Sequence, residues 1–144
     1  MLSIYKNIGI TIILILFISV AGLAQMLEFK NVEKIELVTD RALYVSGETI
    51  WYTAYYSMSE DSPKELSSIL YVELFDNDLK LVTSQKVEIC DGLVSGKILI
   101  TEQSITGYYI LRAYTRYQEN FPVSKMTSLV ISIVNPTHPL PGIK

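Results

Sequence analysis

The residue types best suited to catalysis or metal binding are scarce in this 144-residue chain, which has one histidine and one cysteine. His138 lies between Thr137 and Pro139, whereas nucleophilic catalysis needs an imidazole held rigidly beside its partner. One histidine and one cysteine also fall short of the about three or four protein ligands of a zinc site. Cys90 is interpreted as a small buried apolar residue, since no second cysteine exists for an internal disulfide. We therefore predict no enzyme, no catalytic residue and no cofactor.

The acidic run at residues 76–78 (DND) offers oxygen ligands of the kind that calcium prefers. The other positions of an EF-hand loop are missing, because no glycine follows and no glutamate closes the loop. Aspartate and asparagine side chains also bond their own backbone in tight turns. We interpret the run as a hairpin turn and predict no metal ligand. No acidic residue lies in an aromatic, cleft-like context of the kind that prepares a carboxyl pair for glycoside hydrolysis.

The aromatic residues are more informative, because they recur at alternate positions of two apolar segments. In 108–117 (YYILRAYTRY), alternation places every second residue in a core and the others outside. If 69–75 (ILYVELF) neighbours that strand, the outward residues form one patch: Tyr71, Phe75, Tyr108, Ile110, Arg112 and Tyr114. An aromatic patch with an arginine is typical of a protein or peptide interface. Cross-strand pairs that stabilise a sheet face, partly covered by the loop at 57–68, are the alternative explanation.

The elements that must position these side chains are short strands separated by turn signals. Asp91-Gly92 marks a tight turn, and Ser95-Gly96 indicates a bulge or bend. No helical period follows the first apolar run. Alternation predicts strands at 33–39, 49–56, 69–75, 79–89, 93–101, 108–117 and 127–134. This pattern predicts an all-β fold, a seven-stranded antiparallel fibronectin- or immunoglobulin-like β-sandwich.

The segment 49–56 (TIWYTAYY) carries a secondary candidate surface. Its alternation sends Ile50, Tyr52 and Ala54 into the core and presents Trp51 and Tyr55 outside. Exposed aromatic rings at these positions would give stacking platforms, so a carbohydrate-binding sandwich is an alternative function.

The corner before this strand contains Asp40 and Arg41. A salt bridge or turn cap is favoured for them over a pair that binds a partner.

Residues 1–24 have the layout of a secretory signal peptide. Lys6 precedes an apolar run at 8–20, and Gly22-Leu23-Ala24 gives a small-x-small cleavage pattern before Gln25. The run is shorter than the about 20 residues that cross a bilayer, so an uncleaved anchor is the less favoured alternative. We divide the rest into a lead-in at 25–32, the sandwich at 33–135 and a proline-rich tail at 136–144.

The charge of the chain argues against two classes of partner. Its net charge is −3, without basic clusters, so it lacks the electrostatic footprint of a nucleic-acid or anionic-membrane protein. From the charge we predict no nucleic-acid partner. From the signal-peptide pattern we predict export, to the periplasm or cell envelope, and no membrane span after signal cleavage.

Laid out in this order, the chain resembles the macroglobulin (MG2-type) domain of the alpha-2-macroglobulin family, as found at the start of exported Bacteroidetes envelope proteins. The residues that carry the resemblance are Thr39-Asp40-Arg41, Tyr44, Gly47-Glu48-Thr49-Ile50-Trp51, Ala54-Tyr55, Leu70-Tyr71-Val72-Glu73-Leu74, Asp91-Gly92, Ser95-Gly96, Gly107-Tyr108-Tyr109 and Leu111-Arg112-Ala113-Tyr114-Thr115. The resemblance implies a structural and docking module. It also has limits, because Ser46 stands where the family usually has proline, and the chain has no bait region and no Gly-Cys-Gly-Glu-Gln thioester motif.

The function predicted from the resemblance is a non-enzymatic exported module that mediates protein–protein interaction or scaffolding in the cell envelope, with an envelope protein as partner. A second hypothesis is a truncated N-terminal structural fragment of a longer protein that carries further β-sandwich modules and a plug-like domain of the TonB-receptor kind.

Overall fold

A computed structural model of the chain describes residues 32–59 and 66–137. The predicted signal peptide, the lead-in up to residue 31, and the tail from His138 onward lie outside the described residues. Two short 3₁₀ turns, Gln118–Asn120 and Val123–Lys125, precede the last strand. The strands are β1 (Glu33–Thr39), β2 (Leu43–Val45), β3 (Thr49–Met58), β4 (Ile69–Phe75), β5 (Leu81–Glu88), β6 (Leu93–Leu99), β7 (Gly107–Thr115) and β8 (Thr127–Val134).

The strands form two sheets, one in the order β1-β3-β6 and the other in the order β2-β8-β7-β4-β5. The predicted all-β sandwich is confirmed, but the prediction of seven strands that are all antiparallel is wrong. The additional strand, β2, is only three residues long and pairs parallel with β8. It forms because Tyr44 is fully buried in the core while Leu43 and Val45 flank it outside. Three residues are too few for alternation to distinguish a strand from a corner.

The core lies between the sheets and is built from the alternate residues that the sequence placed inward. On β3 these are Ile50, Tyr52 and Ala54, and on β4 they are Leu70, Val72 and Leu74, all buried. Strand β7 contributes Tyr109, Leu111 and Ala113 in the same way. Burial of these apolar side chains supplies the main driving force for folding.

Gly96 lies in a regular part of β6, so the bulge predicted at Ser95-Gly96 is wrong. Tyr52 pairs with Gly96 and Thr53 with Ser95 without a shift of register. The glycine is required for another reason, because a Cβ at this position would overlap the phenol ring of Tyr52. The ring therefore occupies the space that the missing side chain leaves.

Two turns contain non-glycine residues with left-handed backbone. The predicted hairpin between β4 and β5 is present, but Leu79 is the residue with positive φ, at 60°, and the return strand begins at Leu81. Asp76 supports this turn by accepting hydrogen bonds from the amides of Asp78 and Lys80 at 3.0 and 2.9 Å.

The second of these turns carries the chain from one sheet to the other, between β5 and β6. The tight turn predicted at Asp91-Gly92 is confirmed, with φ values of 50° and 73°. Cys90, which opens this turn, is exposed, so its predicted burial is wrong.

Side chains join the two sheets along both open sides of the sandwich. On one side, Gln118 Nε2 donates to the carbonyl of Glu33 at 3.1 Å, and Thr127 Oγ1 donates to the carbonyl of Ile35 at 2.6 Å. On the other side, Gln85 Nε2 donates to the carbonyl of Lys97 at 2.8 Å. These bonds occupy outward carbonyls of β1 and β6, the two edge strands of the smaller sheet.

Candidate interaction surface

The outer face of the five-stranded sheet, its side away from the core, brings the predicted interaction residues together. Strands β4 and β7 are direct neighbours, as the candidate surface requires. In their antiparallel register, Tyr71 pairs with Tyr114, Glu73 with Arg112, and Phe75 with Ile110. Tyr108 lies on the same side of β7, opposite Ser132 of β8. All six candidate residues therefore lie on one face.

An apolar row crosses four strands of this outer face. Val130 of β8 pairs with Ile110 of β7, which pairs with Phe75 of β4, which pairs with Leu81 of β5. Val130 is 65% exposed and Leu81 is 48% exposed, and neither was among the predicted surface residues. The alternation of 127–134 gave a signal for Val130, whereas Leu81 depends on the register shift between Leu74 and Phe75. Adjacent to the row, Tyr108 is 66% exposed.

The stacked pair Tyr71 and Tyr114 forms one end of the face. Their rings are 5.4 Å apart and nearly parallel, at 10°. Tyr114 is only 9% exposed, so its predicted role as an open contact residue is wrong, because the ring of Tyr71 covers it. Burial, and then the nearby carboxylate of Glu73, raise the pKa of Tyr114 to about 12. Lys86 Nζ lies 5.4 Å from the centre of the Tyr71 ring.

Arg112 lies in the middle of the outer face. Its guanidinium carbon is 4.7 Å from the centre of the Phe75 ring, a cation–π geometry. Its Nε is buried and has no hydrogen-bond partner among the residues that the structure describes. Glu73 is its register partner, yet no ion pair joins them, and a Glu73 carboxylate oxygen lies 3.4 Å from the Ser84 hydroxyl.

The secondary candidates Trp51 and Tyr55 lie on the outer side of the other sheet, as predicted. They are 56% and 51% exposed. A shallow recess of about 540 Å³ surrounds Trp51 and is also lined by Thr53, Ser95 and Lys97. Lys97 Nζ lies 5.6 Å from the centre of the indole ring. This arrangement provides an aromatic platform beside two hydroxyl groups.

The corner formed by Asp40 and Arg41 is a hydrogen-bonded structural unit. Asp40 Oδ1 accepts from the Tyr44 hydroxyl at 2.6 Å and from the Trp51 amide at 3.0 Å. Arg41 forms ion pairs with Asp40 at 3.1 Å and with Glu48 at 3.2 Å. The Tyr44 hydroxyl, followed by the Trp51 amide and Arg41, holds the pKa of Asp40 below its usual value. The interpretation as a corner salt bridge is therefore supported by the geometry.

A buried polar cluster at the start of β1 has no counterpart in the sequence predictions. Glu33 is 3% exposed and accepts hydrogen bonds from the hydroxyls of Tyr56 and Thr115. The amide side chain of Gln118 closes the cluster from the adjacent turn. Every polar group in the cluster has a partner, so the cluster connects β1, β3 and β7 rather than offering a reactive carboxylate.

Within 32–59 and 66–137, three or more His, Cys, Asp or Glu residues nowhere come together as a potential metal site. The same ranges contain no helix with the length and apolar character needed to cross a membrane.

Comparison with solved structures identifies proteins that contain a similar fold. An Escherichia coli alpha-2-macroglobulin activated by porcine elastase aligns with a TM-score of 0.57 and 17% identity, over 70% of this chain and 8% of that one. A Salmonella alpha-2-macroglobulin reacted with methylamine gives a TM-score of 0.58 and 18% identity, over 74% of this chain and 7% of that one. The present chain thus spans less than a tenth of the length of these proteins.

No protein-family model matches the chain, and no curated protein matches it in sequence. The structural likeness, at below 25% identity, concerns the fold. It confirms the architecture that the sequence resemblance implied. The part of the chain that the structure describes has the fold of a macroglobulin-type domain.

Proposed function

We propose that the protein is a non-enzymatic, exported macroglobulin-like module that binds another protein of the cell envelope through the outer face of its five-stranded sheet. The observation that carries this proposal is the apolar row from Val130 to Leu81, which crosses four strands and adjoins the exposed ring of Tyr108. A contiguous exposed patch of aromatic and apolar residues with an arginine at its centre has the composition of a protein interface.

The geometry favours this face over strand addition at β1 or β6. Strand addition needs free backbone groups along an edge. On β1 the carbonyls of Glu33 and Ile35 already accept side-chain hydrogen bonds, and on β6 the carbonyl of Lys97 does so. Side chains on the outer face, in contrast, are open to a partner.

The test is affinity purification of the tagged protein from its own cell envelope, with mass spectrometry of what is retained. Tyr108→Ser and Val130→Ser remove exposed apolar groups, so the melting temperature should change little. We expect the specifically retained protein to be lost with either variant. Trp51→Ser is the matched control, because it removes another ring that is more than half exposed, from the opposite sheet. Retention that is unchanged by Tyr108→Ser and Val130→Ser would refute the proposal. Tyr114 is unsuited to this test, because it is nearly buried.

Export rests on the signal-peptide pattern of residues 1–24. N-terminal sequencing of the protein recovered from the envelope should give Gln25 as the first residue. A protein that begins at Met1 and fractionates with the membrane would instead indicate an uncleaved anchor.

Carbohydrate binding is the second candidate function, favoured by the recess around Trp51. The apolar face of a sugar ring can stack on the indole, while Thr53 and Ser95 provide hydroxyls for its polar edge. A glycan array should then show signals that Trp51→Ala removes and Tyr108→Ser retains. Absence of any signal with the wild-type protein would discard this candidate.

A structural unit of a longer protein is the third candidate. The supporting observation is that the alpha-2-macroglobulins with this fold are more than ten times longer than the aligned region. Reading the DNA downstream of the gene in all frames tests it. Further β-sandwich modules after a frameshift would support the candidate, and unrelated sequence would oppose it.

A further inference from the structure

Resting on the proposed function, the geometry of the outer face points to the chemistry of its partner. We propose that Arg112 is the specificity-determining residue of this face, and that the partner segment presents an aspartate or glutamate carboxylate to it, flanked by apolar side chains. The juxtaposition behind the proposal is an arginine that has no ionic partner among the described residues and lies in the centre of an exposed aromatic and apolar face.

Arg112 is prepared for an incoming anion. Its guanidinium carbon lies 4.7 Å from the centre of the Phe75 ring, a cation–π contact that positions the group on the outer face. Its buried Nε lacks a hydrogen-bond partner in the described part of the chain. An incoming carboxylate binds instead to the two terminal nitrogens of the guanidinium, which are not enclosed, through charge-assisted hydrogen bonds.

The carboxylate nearest in register does not perform this role. Glu73 lies directly opposite Arg112 on β4, but the two form no ion pair. The Glu73 carboxylate instead lies beside Ser84 and Tyr114. In contrast, the neighbouring Arg116 is paired with Glu119 at 3.3 Å, and its side chain is 81% exposed. Of these two arginines, Arg112 is therefore the one without an ion pair in the part of the chain that the structure describes.

The spacing on the face sets the pattern of the partner segment. Ile110, in the apolar row, and Arg112 are two residues apart on β7, a separation of about 6.6 Å. An extended peptide repeats its side-chain direction at the same interval. A segment that lies along β7 with an apolar residue at one position and an acidic residue two positions away matches both groups. Tyr108 and the Tyr71–Tyr114 stack lie at the two ends of this track.

The test uses peptides displayed on phage and selected on the purified protein. One enriched peptide is then synthesised, and its dissociation constant is measured by fluorescence anisotropy against the wild-type protein and three variants. Arg112→Gln removes the charge, and Arg112→Lys keeps the charge but loses the two-pronged geometry. Arg116→Gln is the matched control. A second peptide, in which the acidic residue is replaced by its amide, completes a double-mutant cycle.

We expect enriched peptides to contain an acidic residue two positions from an apolar one. Arg112→Gln should weaken binding about tenfold to a hundredfold, and the amide peptide should bind wild-type and Arg112→Gln proteins equally. Arg116→Gln should change binding by no more than about twofold. Thermal melting shows whether Arg112→Gln is folded. If it is not, Arg112→Lys replaces it in the comparison, with a smaller expected loss of peptide affinity.

Two outcomes would overturn the inference and are distinguishable from each other. Some peptides could bind the Arg112→Gln variant normally but fail to bind the Tyr108→Ser variant. That result would support the outer face as a docking surface and refute the proposal that its partner presents an acidic residue. Selected peptides that bind independently of both residues, or a failure to enrich any peptide, would remove the proposed docking surface as well.

Discussion

Gly96 shows how a single residue is determined by a partner distant in the sequence. It lies opposite Tyr52 in regular β-strand pairing, and the Tyr52 hydroxyl extends past it to Gln85 of the other sheet at 2.8 Å. A side chain at position 96 would therefore displace a ring that links the two sheets. The sequence indicated a bulge or bend at this glycine, whereas the glycine is required by a ring on the neighbouring strand, which local sequence cannot show.

Gly96→Ala is expected to destabilise the protein by about 1–3 kcal/mol, because the added methyl group overpacks the site against Tyr52. Urea denaturation gives the free energy of unfolding. Ser95→Ala is the matched control on the same strand, where an exposed side chain should change stability by less than about 0.5 kcal/mol. A reduced cost of Gly96→Ala in a Tyr52→Val background would identify the ring as the cause, and equal costs in both backgrounds would contradict it.

Among elements, alternation identified the long strands and their faces correctly. The inward residues of β3, β4 and β7 and the outward Trp51 and Tyr55 follow from a period of two. Alternation places Glu33 on the inward face with Ile35 and Leu37, but the partners that satisfy its carboxylate, and the burial of Asn135, depend on groups far along the chain. Glu33 is bonded to Thr115, and Asn135 Nδ2 donates to the carbonyls of Glu102 and Ser104, both at 2.7 Å. The outer face was likewise only partly predictable. The position of Leu81 beside Phe75, and the burial of Tyr114 under the Tyr71 ring, follow from the register of neighbouring strands, which the sequence does not show.

The corner between β1 and β3 should make stability depend on acid. The pKa of Asp40 is lowered by the Tyr44 hydroxyl, the Trp51 amide and Arg41, relative to an ordinary value of 3.8. A carboxyl group whose pKa is lower in the folded state stabilises that state above its ordinary pKa, and this contribution is lost as the pH falls through the folded pKa.

We therefore expect the stability difference between wild type and Asp40→Asn to be greatest at neutral pH and to shrink from about pH 4 downward. Urea midpoints measured at a series of pH values give this difference directly. A difference that stays constant down to about pH 2 would show that the ionised carboxylate of Asp40 contributes nothing through this corner.

For the molecule as a whole, the two sheets have different surroundings. The edges of the smaller sheet, β1 and β6, accept hydrogen bonds from Thr127 and Gln85 of the larger sheet and from Gln118 of a 3₁₀ turn. The larger sheet has an apolar outer face with no cover among the described residues. The outer face of the larger sheet is the surface that we propose for association, whereas two carbonyls of β1 and one of β6 already accept side-chain hydrogen bonds.

The side-chain bonds along the two open sides also bear on aggregation. A bare strand edge is a template on which further chains add and fibrils grow. Thr127→Val together with Gln85→Leu frees the carbonyls of Ile35 and Lys97, so we expect faster growth of thioflavin-positive aggregates than with wild type. Thr53→Val, which changes a hydroxyl in the middle of a sheet face, is the control and should aggregate at the wild-type rate. Equal rates for all three proteins would contradict this expectation. By this reasoning, Thr127 and Gln85 act against strand addition at the two edges of the smaller sheet.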